Sequence, residues 1–161
     1  MKIVRNILAV IFGLIIGGFV NMTIITYGGA IIPPPDGVNP NDIESIKGNM
    51  HLYQKIHFMV PFLAHALGTF VGAFIASVIS SSHQFKFAIV IGCFYLMGGI
   101  MMVFMLPSPM WFNVLDLTLA YIPMGWLGWK LSGKFISKTL EVNEENIRSE
   151  ERRVGKECRS R

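Results

Sequence analysis

Four long runs of apolar residues constrain this fold more than any other feature of the sequence. They cover residues 7–32, 56–80, 87–106 and 111–129, and the single charged residue inside them is Asp116. At 1.5 Å per residue, each run is long enough to cross a hydrocarbon core of about 30 Å. Lipid offers the backbone no hydrogen-bond partners, and the runs lack the alternation of membrane-barrel strands, so they are predicted to be helices.

The predicted fold class is therefore all-α: a membrane-embedded bundle of four transmembrane helices, with a short amphipathic helix in the outer loop. Charged residues make up 15% of the chain, against about 25% in soluble domains. Pro61 and Pro123 lie inside the predicted spans and predict kinks. The expected organisation is one transmembrane domain, residues 1–140, with spans at about 6–32, 56–80, 86–106 and 111–131, an outer loop at 33–55, and a cytoplasmic tail at 141–147.

The lysine and arginine residues predict the orientation in the membrane. If the N-terminus lies in the cytoplasm, most of these residues face the cytoplasm and few face out: Lys2, Arg5, Lys86, Lys130, Lys134 and Lys138 against Lys47 and Lys55. This bias is what the positive-inside rule expects, so the N-terminus and the C-terminus are both predicted to be cytoplasmic. The first apolar run is longer than the core of a signal peptide, which predicts an uncleaved anchor.

The loop between the first two spans has a pattern of its own. Residues 33–35 are three prolines, which end the first helix. Asn41 followed by Glu44 has the spacing of a capping box, so a short helix is predicted to begin near Asp42. Its apolar residues recur at helical spacing and predict an amphipathic helix on the membrane surface: Ile43, Ile46, Met50 and Tyr53.

The last residues, 148–161, differ from the rest of the chain. They read RSEERRVGKECRSR, which resembles, codon by codon in one reading frame, the translation of a short-read sequencing adapter. Without them the basic residues fall from 14 to eight and the acidic residues from ten to seven, so the net charge falls from +4 to +1. The alternative is a natural basic tail that binds anionic lipid or nucleic acid. The resemblance implies a non-native tail and leaves no argument for a nucleic-acid partner.

One face of the second span carries a small residue at every fourth position. The series is Ala64, Gly68, Gly72, Ala76 and Ser80. Small side chains let another helix approach closely, where dispersion contacts add up. The pattern predicts a helix-packing face, and it is compatible with packing inside one chain or between copies.

Three polar residues are predicted to lie at membrane depth. Asn21, His65 and Asp116 fall in the outer half of the bilayer, at a depth of roughly 7–15 Å. An ionised carboxylate at the centre of a span costs about 2.5–3.5 kcal/mol on insertion scales, so Asp116 has to be paired, protonated or hydrated. We expect it to pair with His65, whose ring can donate to a carboxylate. The cluster is either a functional site in an outward-facing pocket or a set of polar contacts that hold helices together.

No cofactor and no metal is predicted. A haem with two histidine ligands needs both at membrane depth, and His65 alone meets that condition. Met97, Met101 and Met105 share one face of the third span with Cys93. Such ligands suit Cu(I), but methionine more often serves as a flexible apolar filler.

Three stretches carry a resemblance to known proteins. IIPPPDGV follows the first span, PFLAHALGTFVGAF lies in the second, and LDLTLAYIPMGWLG lies in the fourth. Together they resemble an uncharacterised family of small bacterial four-helix membrane proteins. The resemblance covers residues 1 to about 133 and implies a multi-pass protein of the bacterial cytoplasmic (inner) membrane. It supplies no activity and no catalytic residue.

These observations leave three functions open. The first expectation is a non-enzymatic membrane protein that acts through helix packing, as a homo-oligomer or as an accessory subunit of a larger membrane complex. The second is a small proton-coupled transporter or channel subunit that uses Asp116 and His65. The third is a membrane enzyme with an outward-facing site. The partner that the sequence itself requires is the lipid bilayer.

Overall fold

The structure, a computed structural model, describes residues 2–159 of the chain and is built from helices. The α-helices are α1 (Lys2–Ile31), α2 (Ile43–Gly48), α3 (Met59–Ile79), α4 (Gln84–Met105), α5 (Met110–Leu119) and α6 (Ile122–Arg159). Two 3₁₀ turns, Met50–Leu52 and Lys55–Phe58, precede α3. No strand occurs within residues 2–159, so the predicted all-α class is confirmed. The end of the adapter-like string, residues 160 and 161, lies outside the described residues.

Three helical segments of the described chain are long and apolar enough to cross a membrane. They are Lys2–Ile31, Lys55–Ile79 and Gln84–Met105. Large apolar side chains project outward from them, such as Phe19, which is 71% exposed, and Phe104, which is 86% exposed. A soluble protein rarely displays so much apolar surface. These helices indicate a membrane-embedded protein.

The fourth apolar run is interrupted in the structure. Helix α5 ends at Leu119, and α6 begins at Ile122. Pro123 is the physical reason, because its nitrogen cannot donate to the carbonyl of Leu119 and its ring would clash with that carbonyl. The sequence predicts a kink at Pro123, whereas the structure shows a break just before it. Pro61 lies in the first turn of α3, where proline is tolerated, and α3 continues without interruption to Ile79.

Helix α3 is the centre of the bundle and packs against α1, α4 and α6. At one end, the Arg5 guanidinium donates to the carbonyl of Ser80, 3.1 Å away, which places the start of α1 beside the end of α3. At the other end, the ring of Phe58 lies 4.9 Å from the ring of Phe112, which places the start of α3 beside the start of α5. We call this second end, where α1 and α4 finish and residues 33–55 lie, the loop end.

The small-residue face of α3 is covered by α1 of the same chain. Its members are all buried: Ala64, Gly68, Gly72 and Ala76. A Cβ atom added to Gly72 would lie 2.7 Å from the carbonyl oxygen of Gly13, and one added to Gly17 would lie 2.6 Å from the carbonyl oxygen of Gly68. Backbone therefore meets backbone at both crossings, which glycine alone permits. The predicted packing face is used inside the monomer.

Candidate functional site

His65 and Asp116 are in direct contact. His65 lies on α3 and Asp116 on α5, and the ring atom Nδ1 is 3.0 Å from Oδ1 and 2.9 Å from Oδ2 of the carboxylate. Asp116 is only 4% exposed. A buried carboxylate needs donors to replace the lost hydration, and the imidazole supplies one. The contact joins two helices that are far apart in the sequence.

Tyr121 completes the cluster from an unexpected position. Its hydroxyl donates to Oδ2 of Asp116 over 2.9 Å, and its ring stacks on His65 with the centroids 5.7 Å apart. In a continuous helix, residues five apart point in different directions, so a straight fourth span would separate the two side chains. The break before Pro123 turns the chain and brings Tyr121 back to Asp116. Gly99 leaves the room for it, since a Cβ atom there would overlap the phenol.

Asn21 lies near the cluster and does not join its hydrogen bonds. Its Cβ atom packs on α3, 3.0 Å from where a Cβ atom of Gly68 would stand. In the described part of the chain, neither His65 nor Asp116 bonds to Asn21. Two of the three polar residues predicted from the sequence are therefore together, and the third lies at the α1–α3 contact.

A cavity of about 360 Å³ lies at the loop end, with His65 and Asp116 in its lining. Its walls are mostly apolar and come from several helices, including Ile25 and Gly29 of α1, Val103 of α4 and Phe112 of α5, with Leu106 just after the end of α4. Ligand sites are commonly apolar cavities of roughly 300–1,000 Å³ with a few placed polar groups. Size, lining and polar contacts of this cavity match that description.

The apolar side of the loop also faces the cavity. Ile43, Ile46, Met50 and Tyr53, whose spacing predicts a helix on the membrane surface, are among the lining residues. Helix α2 itself is short and begins after Asp42, whose Oδ1 accepts from the backbone N–H of Glu44 over 3.1 Å. Burial raises the pKa of the Tyr53 phenol above its ordinary value. The loop therefore contributes a wall to the cavity.

The hydrogen bonds within the cluster determine which atoms a bound molecule meets. Both carboxylate oxygens of Asp116 already accept from protein donors, and Nδ1 of His65 is used by the carboxylate. The ring atom Nε2 of His65 is therefore the nitrogen left for a molecule in the cavity. Two other polar side chains of the lining make local hydrogen bonds: Nδ1 of His57 accepts from the N–H of Gln54, and the side-chain amide of Asn113 donates to the carbonyl of Ser108.

The residues that the structure describes form no group of three or more histidine, cysteine or acidic side chains suited to a metal ion. Cys93 is exposed on α4, as are Met97 and Met101 of the same face, which are 56% and 60% exposed. None of these three side chains lines the cavity that His65 lines.

The comparisons with known proteins give no relative. No protein-family model matches the sequence, and no curated protein and no solved structure matches it either. The chemistry of the site therefore rests on its own geometry.

Proposed function

We propose that this chain is a multi-pass protein of the bacterial cytoplasmic membrane that binds a small, largely apolar molecule in an outward-facing cavity, with His65 and Asp116 holding its polar group. The observation that carries the proposal combines two features: a cavity of about 360 Å³ has a hydrogen-bonded histidine–aspartate pair in its lining. Neither the cavity nor the pair alone would support a binding site.

The proposed arrangement in the membrane has four crossings. Helix α5 and the first turns of α6 form the fourth in two pieces, since residues 110–131 together have the required length. The alternating directions of α1, α3 and α4 support this, because α5 then starts at the loop end. The excess of lysine and arginine at the opposite end supports an orientation with both termini in the cytoplasm and the cavity on the outside.

Polar contacts that only hold helices together would account for the pair without any cavity. An interhelical polar contact in a membrane contributes about 0.6 kcal/mol on average and needs no further purpose. Such a contact is best shielded on all sides, because a gap beside it loses packing. Here His65 borders open space and keeps a free ring nitrogen. A binding site explains that space, and a purely structural contact does not.

Assembly through the small-residue face has less support than the sequence suggests. That face is occupied by α1, so a second copy or a larger complex would have to use another surface. We therefore place ligand binding ahead of helix packing as the function of this chain.

Filling the cavity should weaken binding without harming the fold. Gly29 lines the cavity, and a Cβ atom there meets nothing within 4 Å. A photoreactive decanol carrying a diazirine should cross-link to cavity residues in lipid vesicles, mapped by mass spectrometry. We expect Gly29→Leu to reduce this labelling by about tenfold, which corresponds to about 1.4 kcal/mol.

Gly98→Leu is the matched control. Gly98 also lies in a helix with nothing within 4 Å of an added Cβ atom, but it does not line the cavity. Its labelling should equal that of the unaltered chain. Equal labelling of the Gly29→Leu variant, or cross-links spread over the lipid-facing surface, would refute the proposed function.

Proton-coupled transport is the second candidate, and the broken helix favours it. Transporters often bind substrate and coupling ions where a membrane helix is discontinuous. The break between α5 and α6 lies beside Asp116 and supplies Tyr121 to it. In vesicles with an imposed pH gradient, the chain should then drive uptake of the bound molecule, and Asp116→Asn should abolish it. If the unaltered chain shows no uptake, transport is ruled out and ligand binding remains the proposed function.

A further inference from the structure

We infer that the molecule bound in the cavity presents a hydrogen-bond donor, a hydroxyl or an ammonium group, to Nε2 of His65, and that carboxylic acids and simple ketones are poor ligands. This inference rests on the proposed function and deepens it by naming the ligand class. The hydrogen bonds of the cluster, the charge of the lining and the size of the cavity all bear on the ligand class.

The cluster creates a hydrogen-bond acceptor on His65. Asp116 has donors on both oxygens, one from His65 and one from Tyr121. In the neutral form of His65, the single ring proton lies on Nδ1, because that atom faces the carboxylate. The second ring nitrogen, Nε2, then carries a lone pair and accepts a hydrogen bond. At this atom a bound molecule has to supply the donor.

The charged groups of the lining also select against acids. The described lining of the cavity holds one carboxylate, Asp116, two histidines, His57 and His65, and no lysine or arginine. A carboxylate ligand would bring a second negative charge into a largely apolar space without a lysine or arginine to pair with it, which is costly. A hydroxyl group brings no charge, and an ammonium group is attracted by the carboxylate.

The size of the cavity limits the size of the ligand. A dry apolar cavity of about 150 Å³ holds one benzene ring. On that scale the cavity of about 360 Å³ takes about fourteen non-hydrogen atoms. A ten-carbon alcohol or amine is therefore a suitable probe, since its chain can lie along the apolar walls while its polar group meets His65.

The experiment is a competition in lipid vesicles. The photoreactive decanol labels the cavity, and unlabelled 1-decanol, decylamine, 2-decanone and decanoic acid compete, at concentrations corrected for the partition of each into the lipid. We expect the alcohol and the amine to halve the labelling at about tenfold lower concentration than the ketone and the acid. The alcohol and amine arms separate the two sources of the donor.

Asp116→Asn should invert part of this ranking. The hydroxyl of Tyr121 keeps donating to the oxygen of the new amide, which turns its NH₂ group toward Nδ1 of His65. The ring proton then moves to Nε2, which becomes a donor. The ketone should halve the labelling at about tenfold lower concentration than before, and the amine at about tenfold higher concentration. The alcohol both donates and accepts, so its concentration for half-labelling should change little. If Asp116 had a purely structural role, the substitution would lower the affinity of all four competitors together.

The outcomes distinguish the two proposals. If the acid or the ketone competes as well as the amine in the unaltered chain, or if the ranking survives Asp116→Asn, the donor assignment is wrong while the binding cavity stands. If the probe does not label the cavity, or Gly29→Leu leaves the labelling unchanged, the proposed function fails and this inference fails with it.

Discussion

Gly72→Ile should destabilise the bundle by about 3 kcal/mol or more, the upper end of the cost of overpacking a core. The first added atom, Cβ, would already lie 2.7 Å from the carbonyl oxygen of Gly13 and 3.2 Å from a methyl carbon of Ile91. The nearer contact is backbone, which cannot move aside as a side chain can. Helix α1 would have to lift away from α3. Thermal unfolding of the purified protein in detergent, followed by circular dichroism, measures the loss.

Gly98→Ile is the matched control for this prediction. The same substitution in a neighbouring span meets nothing within 4 Å, and replacing a helical glycine should even help slightly, by a few tenths of a kcal/mol up to about 1 kcal/mol. Equal unfolding temperatures for the two variants would show that α1 does not pack on α3 through backbone contacts. A change of oligomer size with unchanged monomer stability would instead assign this face to assembly.

Asp116→Ala should cost about 2–3 kcal/mol, which exceeds the average interhelical polar contact of about 0.6 kcal/mol. The average does not apply because Asp116 is 4% exposed and accepts from two side chains. Removing it leaves the imidazole of His65 and the hydroxyl of Tyr121 without their acceptor, and unpaired buried groups cost about 1–3 kcal/mol. Thermal unfolding in detergent again measures the loss of stability.

Two further variants separate the cluster from a general effect of lost charge. Asp36→Ala removes an exposed loop carboxylate and should change stability by less than about 0.5 kcal/mol. Tyr121→Phe should destabilise the unaltered chain by about 1 kcal/mol and the Asp116→Ala variant hardly at all, because its partner is already gone. Additive effects of the two substitutions would contradict the hydrogen bond between Tyr121 and Asp116.

Much of the fold follows from local sequence properties. The three uninterrupted apolar helices are predicted because length and hydropathy are properties of a single segment. The pairing of His65 with Asp116 is predicted because a carboxylate at membrane depth requires a partner and few polar residues are present. The small residues of α3 predict a close helix contact, and Gly68 and Gly72 make one.

Other features of the fold depend on tertiary contacts between segments, which the sequence of one segment does not encode. The sequence of α3 predicts a packing face but not that Gly13 and Gly17 of α1 cover it. The contact of Tyr121 with Asp116 is not predicted from the sequence, because residues five apart point in different directions in a straight helix. Pro123 was the available signal, since a proline can end the helix at the residue four before it.

The loop shows the same limit. Helical spacing indicates that Ile43, Ile46 and Met50 share an apolar side, and it does not say whether lipid or protein covers that side. In the structure these residues face the cavity. An amphipathic pattern predicts burial of one face, and the choice of partner comes from the packing of the whole bundle.

The central claim is that a ligand cavity opens at the loop end of a bundle surrounded by lipid. Its most direct test uses two neighbouring residues of α4, Val103, which lines the cavity, and Phe104, which is 86% exposed to the surroundings of the bundle. Each is replaced by cysteine in a chain whose Cys93 and Cys158 are changed to serine. A small charged thiol reagent is added to vesicles on the side that carries residues 33–55. We predict that the cysteine at position 103 reacts, that 1-decanol slows its reaction, and that the cysteine at position 104 stays unreacted in lipid. Reaction at position 104 equal to or faster than that at position 103 would contradict the account.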